Sequence, residues 1–160
     1  MMRSDNPDTR KTYVTFRVVG DTLAPEAVTR ALRIFPSIQY SKGQTYFAGS
    51  RTGNLVGKSG VWSLTTDKLV ASNNLRDHLA YLLGVLIPDR QDANPLFQLH
   101  ALLSKHNDWR ADLSCFWHGR ERAKKPSIPK FVTEVMNFLP AAIETDFATD
   151  SPTEHEQRLA

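Results

Sequence analysis

Two segments, PEAVTRALRIFP at 25–36 and PKFVTEVMNFLP at 129–140, lie over one another without a gap. Pro25 meets Pro129, Val28-Thr29 meets Val132-Thr133, and Pro36 meets Pro140; Ala31, Leu32, Ile34 and Phe35 meet Val135, Met136, Phe138 and Leu139. Each segment follows a strand-like stretch ending in glycine, Gly20 or Gly119. A strand–helix–strand unit used twice explains this physically. The expected fold is α+β and ferredoxin-like: an antiparallel sheet with helices, two pseudo-symmetric strand–helix–strand units and extra central helices.

The strands themselves are read from alternation. YVTFRVVG at 13–20 puts Val14, Phe16 and Val18 on one face and Tyr13, Thr15 and Arg17 on the other, the pattern of a half-buried strand. DLSCFWHG at 112–119 holds the only cysteine, three residues before a histidine. Side chains alternate along a strand, so Cys115 shares a face with Leu113 and Trp117, while His118 points the other way with Ser114 and Phe116. A nucleophile–base pair within this strand is therefore disfavoured. Superposing Gly20 on Gly119 sets Leu113, Cys115 and Trp117 against the inward residues Val14, Phe16 and Val18, and Cys115 reads as a packing group.

Between the two units, 37–48 reads as a strand or extended arm, and the four glycines of GSRTGNLVGKSG at 49–60 read as a mobile hairpin tip leading into the strand GVWSLTT at 60–66. Asn74 is placed to cap a helix carrying Leu75, Leu79, Leu82, Leu83 and Leu86 at helical spacing. Asn94-Pro95 opens another with Leu96, Leu99, Leu102 and Leu103. In the first repeat the apolar stripe is Val28, Ala31, Leu32 and Phe35, with the helix stopping at Pro36. A strand at 110–118, a helix at 128–139 and a strand at 141–148 complete the order.

With 160 residues, 41% of them hydrophobic, the chain fits one domain. Residues 11–148 form it, and 1–10 and 149–160 read as flexible polar tails. A single cysteine rules out an internal disulfide, and the longest apolar run, LAYLLGVLIP at 79–88, is too short to cross a bilayer. The expectation is a cytoplasmic protein without cofactor or membrane association. A net charge of +3 from 20 basic and 17 acidic residues is too mild to identify a nucleic-acid binder.

Several candidate sites are weighed against simpler roles. TGNLVGKSG misses a phosphate loop by one residue, since Thr52 stands where the first glycine belongs, and it leads into a strand instead of a helix. Its Arg51 and Lys58 remain candidate partner contacts, as do Arg120, Arg122, Lys124 and Lys125 in the basic loop HGRERAKKPSIPK. Glu144 and Asp146 face the same way about 7 Å apart on the last strand and read as solvent-facing. His78 and His100 read as boundary residues of leucine-rich helices, Trp62 and Trp117 as core, and Trp109 as partly exposed. If the strands alternate as described, the second sheet face displays Tyr13, Arg17, Phe116 and His118, an aromatic and basic set of the kind that stacks bases. No RNP-like segment accompanies it, Glu144 and Asp146 put negative charge nearby, and the central helices could cover this face.

The succession YVTFRVVG, PEAVTRALRIFPS with SKG, GVWSL, HLAYLLGVL and a closing IETDF resembles the bacterial family called domain of unknown function 4279 across residues 13–147. Phe147 departs from the tyrosine expected after the acidic residue. The resemblance implies a small bacterial protein without an established activity, and it supplies no catalytic residue. The resulting expectation is a non-enzymatic binding module with a protein partner, immunity-like or accessory in role. Single-stranded nucleic-acid binding through the open sheet face is the alternative, and a small-ligand carrier with a deep apolar cavity between sheet and central helices is a third.

Overall fold

The structure, a computed structural model, describes residues 6–46, 55–90 and 92–151. The alternating segment begins four residues earlier than its apolar pattern, giving strand β1 at Thr9–Gly20. It is followed by helix α1 (Pro25–Leu32), β2 (Ile38–Tyr40), β3 (Thr45–Tyr46), β4 (Leu55–Val56) and β5 (Gly60–Thr65). Two leucine-rich helices, α2 (Leu75–Leu86) and α3 (Asn94–Lys105), precede β6 (Arg110–Gly119), α4 (Lys130–Phe138) and β7 (Ala141–Thr149).

Five strands form one sheet in the order β2-β5-β1-β6-β7, and β3 and β4 pair separately as the arm of a hairpin. The sheet is mixed, not antiparallel as expected, because β6 and β7 run parallel. The cause is α4, which carries the chain back along the sheet so that β7 starts at the same end as β6. The first unit makes the same kind of return, since β2 and β1 are both antiparallel to β5, but β5 lies between them. The two units thus differ in whether a strand is inserted.

The four α-helices among the described residues pack on one side. Val14, Phe16 and Val18 of β1, Trp62 and Leu64 of β5, and Leu113 and Cys115 of β6 share a single core with Val28 and Leu32 of α1, Leu79, Leu82 and Leu86 of α2, Leu96 and Leu99 of α3, and Val132 and Met136 of α4. Burying each large side chain contributes about 1.5–3 kcal/mol, so the inward rows of the strands hold the helix layer in place. The Trp62 indole N–H donates to Thr29 Oγ1 at 3.0 Å, fixing α1 over β5. An apolar cleft of about 450 Å³ is lined by Leu83 and Ile87 from the α2 side and by Phe131 of α4, with no strand residue in its wall.

Local capping explains the boundaries. Asn74 caps α2 as expected, its Oδ1 accepting from the Arg76 N–H at 3.1 Å. Pro95 sits in the first turn of α3. Helix α1 ends at Leu32, earlier than expected: Arg33 adopts a left-handed conformation (φ 58°) and its N–H closes on Thr29 O. Phe35, which must avoid the helical region before Pro36, is consequently thrown out to 84% exposure instead of joining the apolar stripe. Its counterpart in the second repeat, Leu139, is fully buried.

Residues on both sides of the expected 11–148 domain are engaged in the fold. Thr9 and Arg10 belong to β1, Asn6 exchanges hydrogen bonds with the Asn73 side chain at 2.7 Å, and Thr149 belongs to β7. Trp62 and Trp117 are core residues as expected. Trp109 is buried, not partly exposed, because His106 stacks on it and its indole N–H donates to Thr22 Oγ1 at 2.9 Å. His78 is likewise interior: Nδ1 meets Thr66 Oγ1 at 2.6 Å and Nε2 meets Ser72 O at 2.7 Å. A carbonyl only accepts, so Nε2 carries a hydrogen. His100 is the half-buried boundary residue expected, with Nδ1 3.2 Å from Leu139 O and its ring on Phe138.

Candidate functional site on the uncovered sheet face

The parity that sends Cys115 inward sends the next row outward. In the β1/β6 ladder Tyr13 pairs with Phe116, Thr15 with Ser114 and Arg17 with Asp112. In the parallel ladder Ser114 pairs with Glu144 and Phe116 with Asp146, so all these side chains emerge on the face opposite the helices. Tyr13, Arg17, Phe116 and His118 are brought together on it. The central helices do not cover it, and Phe116 remains only half-buried.

At its centre the Tyr13 and Phe116 rings stack with centroids 4.9 Å apart, and Lys11 Nζ stands 5.6 Å from the Tyr13 centroid. Beside this pair is a shallow hollow of about 390 Å³ bounded by Thr15, Ser114, Glu144 and Asp146. Arg17 makes a two-pronged bond to Asp112, with Nε and Nη2 each 3.1 Å from a carboxylate oxygen. That hydrogen bonding raises the Arg17 pKa above its ordinary value against the opposing effect of burial, with Asp112, Glu144 and Tyr40 adding to the rise. At the β2 side of the face Tyr40 stacks on Tyr46 at 4.0 Å, and its phenol pKa is raised, chiefly by burial and then by the hydrogen bond with Tyr46.

His118 meets Asp150 Oδ1 at 2.8 Å, and Arg10 meets the other oxygen at 2.6 Å. These contacts, the His118 hydrogen bond first, hold the Asp150 carboxyl below its ordinary value. Cys115 and His118 lie on opposite faces, and burial pushes the thiol up to about 11. Such a thiol stays protonated at neutral pH and is a poor nucleophile. Among the described residues, no group of three or more His, Cys, Asp or Glu side chains is arranged to hold a metal ion.

The basic candidates do not form one patch. Lys58 is exposed just before β5, whose Gly60 pairs with Gly20 at the far end of β1. The loop after β6 begins at Gly119, paired with Thr9 at the near end. A twelve-residue strand separates the two ends by on the order of 30 Å. Arg51 lies outside the described residues. Within the loop Arg120 is engaged with the N-terminal segment, its Nε donating to Pro7 O at 3.0 Å. Arg122, Lys124 and Lys125 are exposed, the two lysines beside a hollow of about 300 Å³ near Asn73 and Asn74.

Sequence reasoning missed Asp112, although its parity with Phe116 and His118 was readable, and it missed Asp150, which strand alternation places on no face. The stacking of Tyr40 on Tyr46 had no sequence signal, because it depends on how the hairpin folds back.

These features define an α+β protein with a mixed five-stranded sheet, helices on one face and an aromatic, polar second face. Residues 10–150 match the model of the family described as Domain of unknown function (DUF4279), and the chain belongs to that family. No curated protein and no solved structure matches it. No described helix is long and apolar enough to cross a membrane.

Proposed function

We propose that this chain is a non-enzymatic binding module that engages a protein partner through the uncovered face of its sheet. The observation that carries this reading is the one-sided helix layer, which leaves the stacked Tyr13 and Phe116 rings at the centre of an accessible surface. An immunity-like or accessory task, in which one surface masks a partner, suits that geometry. The basic loops become secondary contacts, since Lys58 and the Arg120 to Lys125 loop sit at opposite ends of β1.

Affinity capture from the native cell, with and without nuclease, tests the reading. Tyr13→Ala and Phe116→Ala are expected to lose the captured protein while Lys124→Glu/Lys125→Glu keeps it. The reverse pattern would move the contact to the loop and overturn the sheet-face assignment.

A second reading, single-stranded nucleic acid, draws support from the same two rings, which could stack bases. Its weakness is charge: Arg17 is engaged by Asp112, and Glu144 and Asp146 stand exposed beside Phe116. Nuclease-sensitive capture would favour it.

A further inference from the structure

The outer edge of β7 is the longest open strand edge among the described residues. It runs for nine residues, against three for β2 at the opposite side of the sheet. One side of β7 is bonded to β6, and no described backbone group bonds to the other. Such an edge is a template for another strand unless something blunts it. Here the middle of the edge, Glu144, Thr145 and Asp146, is exposed throughout.

The charges on this side of the molecule are unevenly satisfied. Arg17 is paired with Asp112, Lys11 with Asp67, and Arg10 with Asp150. Glu144 and Asp146 are left with no ion pair or hydrogen bond among the described residues. Both carboxylates sit on the open face, one strand away from the aromatic stack. A second copy is a poor occupant: antiparallel pairing about Thr145 would set Glu144 directly opposite the copy's Asp146, and like charges in that position repel. Nucleic acid would meet the same carboxylates with its phosphates.

We propose that β7 is a docking edge for an extended basic segment of a partner protein. The segment adds as a sixth strand, with Lys or Arg at alternate positions on the open face beside Glu144 and Asp146. Backbone hydrogen bonds to the edge supply the attachment, and the period of two along the added strand supplies selectivity for alternating basic residues. The cationic side chains extend over β7 in the direction of the Phe116 ring on the neighbouring β6. This inference rests on the sheet-face reading above and names the chemistry of the partner.

Fluorescence anisotropy with a labelled heptapeptide, lysine at alternate positions and valine or threonine between them, tests it on the full chain. The expected result is saturable binding that weakens in about 0.5 M salt and falls about tenfold in the E144Q/D146N variant, whose melting temperature stays that of the parent. N-methylating the peptide residues that face one edge should abolish binding, while methylating the alternate set should leave it intact. Equal binding by E144Q/D146N, no binding by the parent chain, indifference to both methylations, or displacement of the peptide by an oligo-dT strand bound at the same edge would each overturn the inference. In the capture experiment, partner loss in Phe116→Ala with full retention in E144Q/D146N overturns the acidic edge alone. Retention in both overturns the sheet-face reading as well.

Discussion

Tyr13 on β1 and Phe116 on β6 are direct cross-strand partners whose rings stack at 4.9 Å on the side of the sheet that no described helix covers. A half-exposed aromatic pair of this kind contributes about 0.5–1 kcal/mol beyond its neighbours. Phe116→Ala should therefore lower the unfolding free energy by about 1 kcal/mol, read from the urea midpoint at constant m, while partner capture is lost. A cost above about 3 kcal/mol would mark Phe116 as a core residue and remove the basis for an accessible face.

Cys115 makes the opposite prediction. Its thiol is buried and pushed up from 9.0 to about 11, so the native protein keeps the proton where the unfolded chain gives it up. The sign follows: the thiol's contribution is constant below the unfolded value, falls as pH rises toward about 11, and is gone above it. Native-state labelling with a disulfide reagent at pH 8 should be at least about 100-fold slower than in denaturant. Rapid stoichiometric labelling of the folded protein would contradict the assignment.

Two glycines should respond in opposite directions to alanine. A Cβ at Gly20 would stand 2.8 Å from Asp108 O and 2.9 Å from Trp109 Cδ1, where backbone and a buried ring must give way. Gly20→Ala should destabilise by about 1–3 kcal/mol. Gly84 lies on the exposed side of α2 with nothing within 4 Å of the added carbon. Gly84→Ala should stabilise by about 0.5–1 kcal/mol through helix propensity. Thermal melts of both variants check the pair, and a matching sign would be inconsistent with this packing.

Acid should loosen the end of β7. His118 and Arg10 hold the Asp150 carboxyl below its ordinary value. A depressed acid contributes stability above its unfolded pKa of about 3.9 and loses that contribution as pH falls through the lower folded value. Asp150→Asn should thus be less stable than the parent near pH 6 and approach it near pH 2. Urea midpoints across that range decide the matter; a difference independent of pH would show that the carboxylate charge is not responsible.

Much of this architecture was readable because it is local. Alternation of two residues placed Val14, Phe16, Val18, Leu113, Cys115 and Trp117 inward, and all six are buried. The same parity put Tyr13, Arg17, Phe116 and His118 on one opposite face. Asn74 and Pro95 marked helix starts because capping and the first-turn proline act within a few residues. Phe35 shows where locality ends. Its spacing fits an apolar stripe, yet the left-handed turn at Arg33 closes α1 first and leaves the ring in solvent.

The sequence by itself determined which side chains share a strand face, where the helices begin, and that Cys115 and His118 would be kept apart, since a peptide chain's two-residue and 3.6-residue periods are properties of neighbouring residues. The tertiary structure alone decided that β7 runs parallel beside β6, that the four described α-helices crowd onto one face, and that Asp112 on β6 answers Arg17 on the adjacent β1. Those outcomes depend on which distant segments close against one another. That choice is made by burying the whole core at once, and no local pattern encodes it.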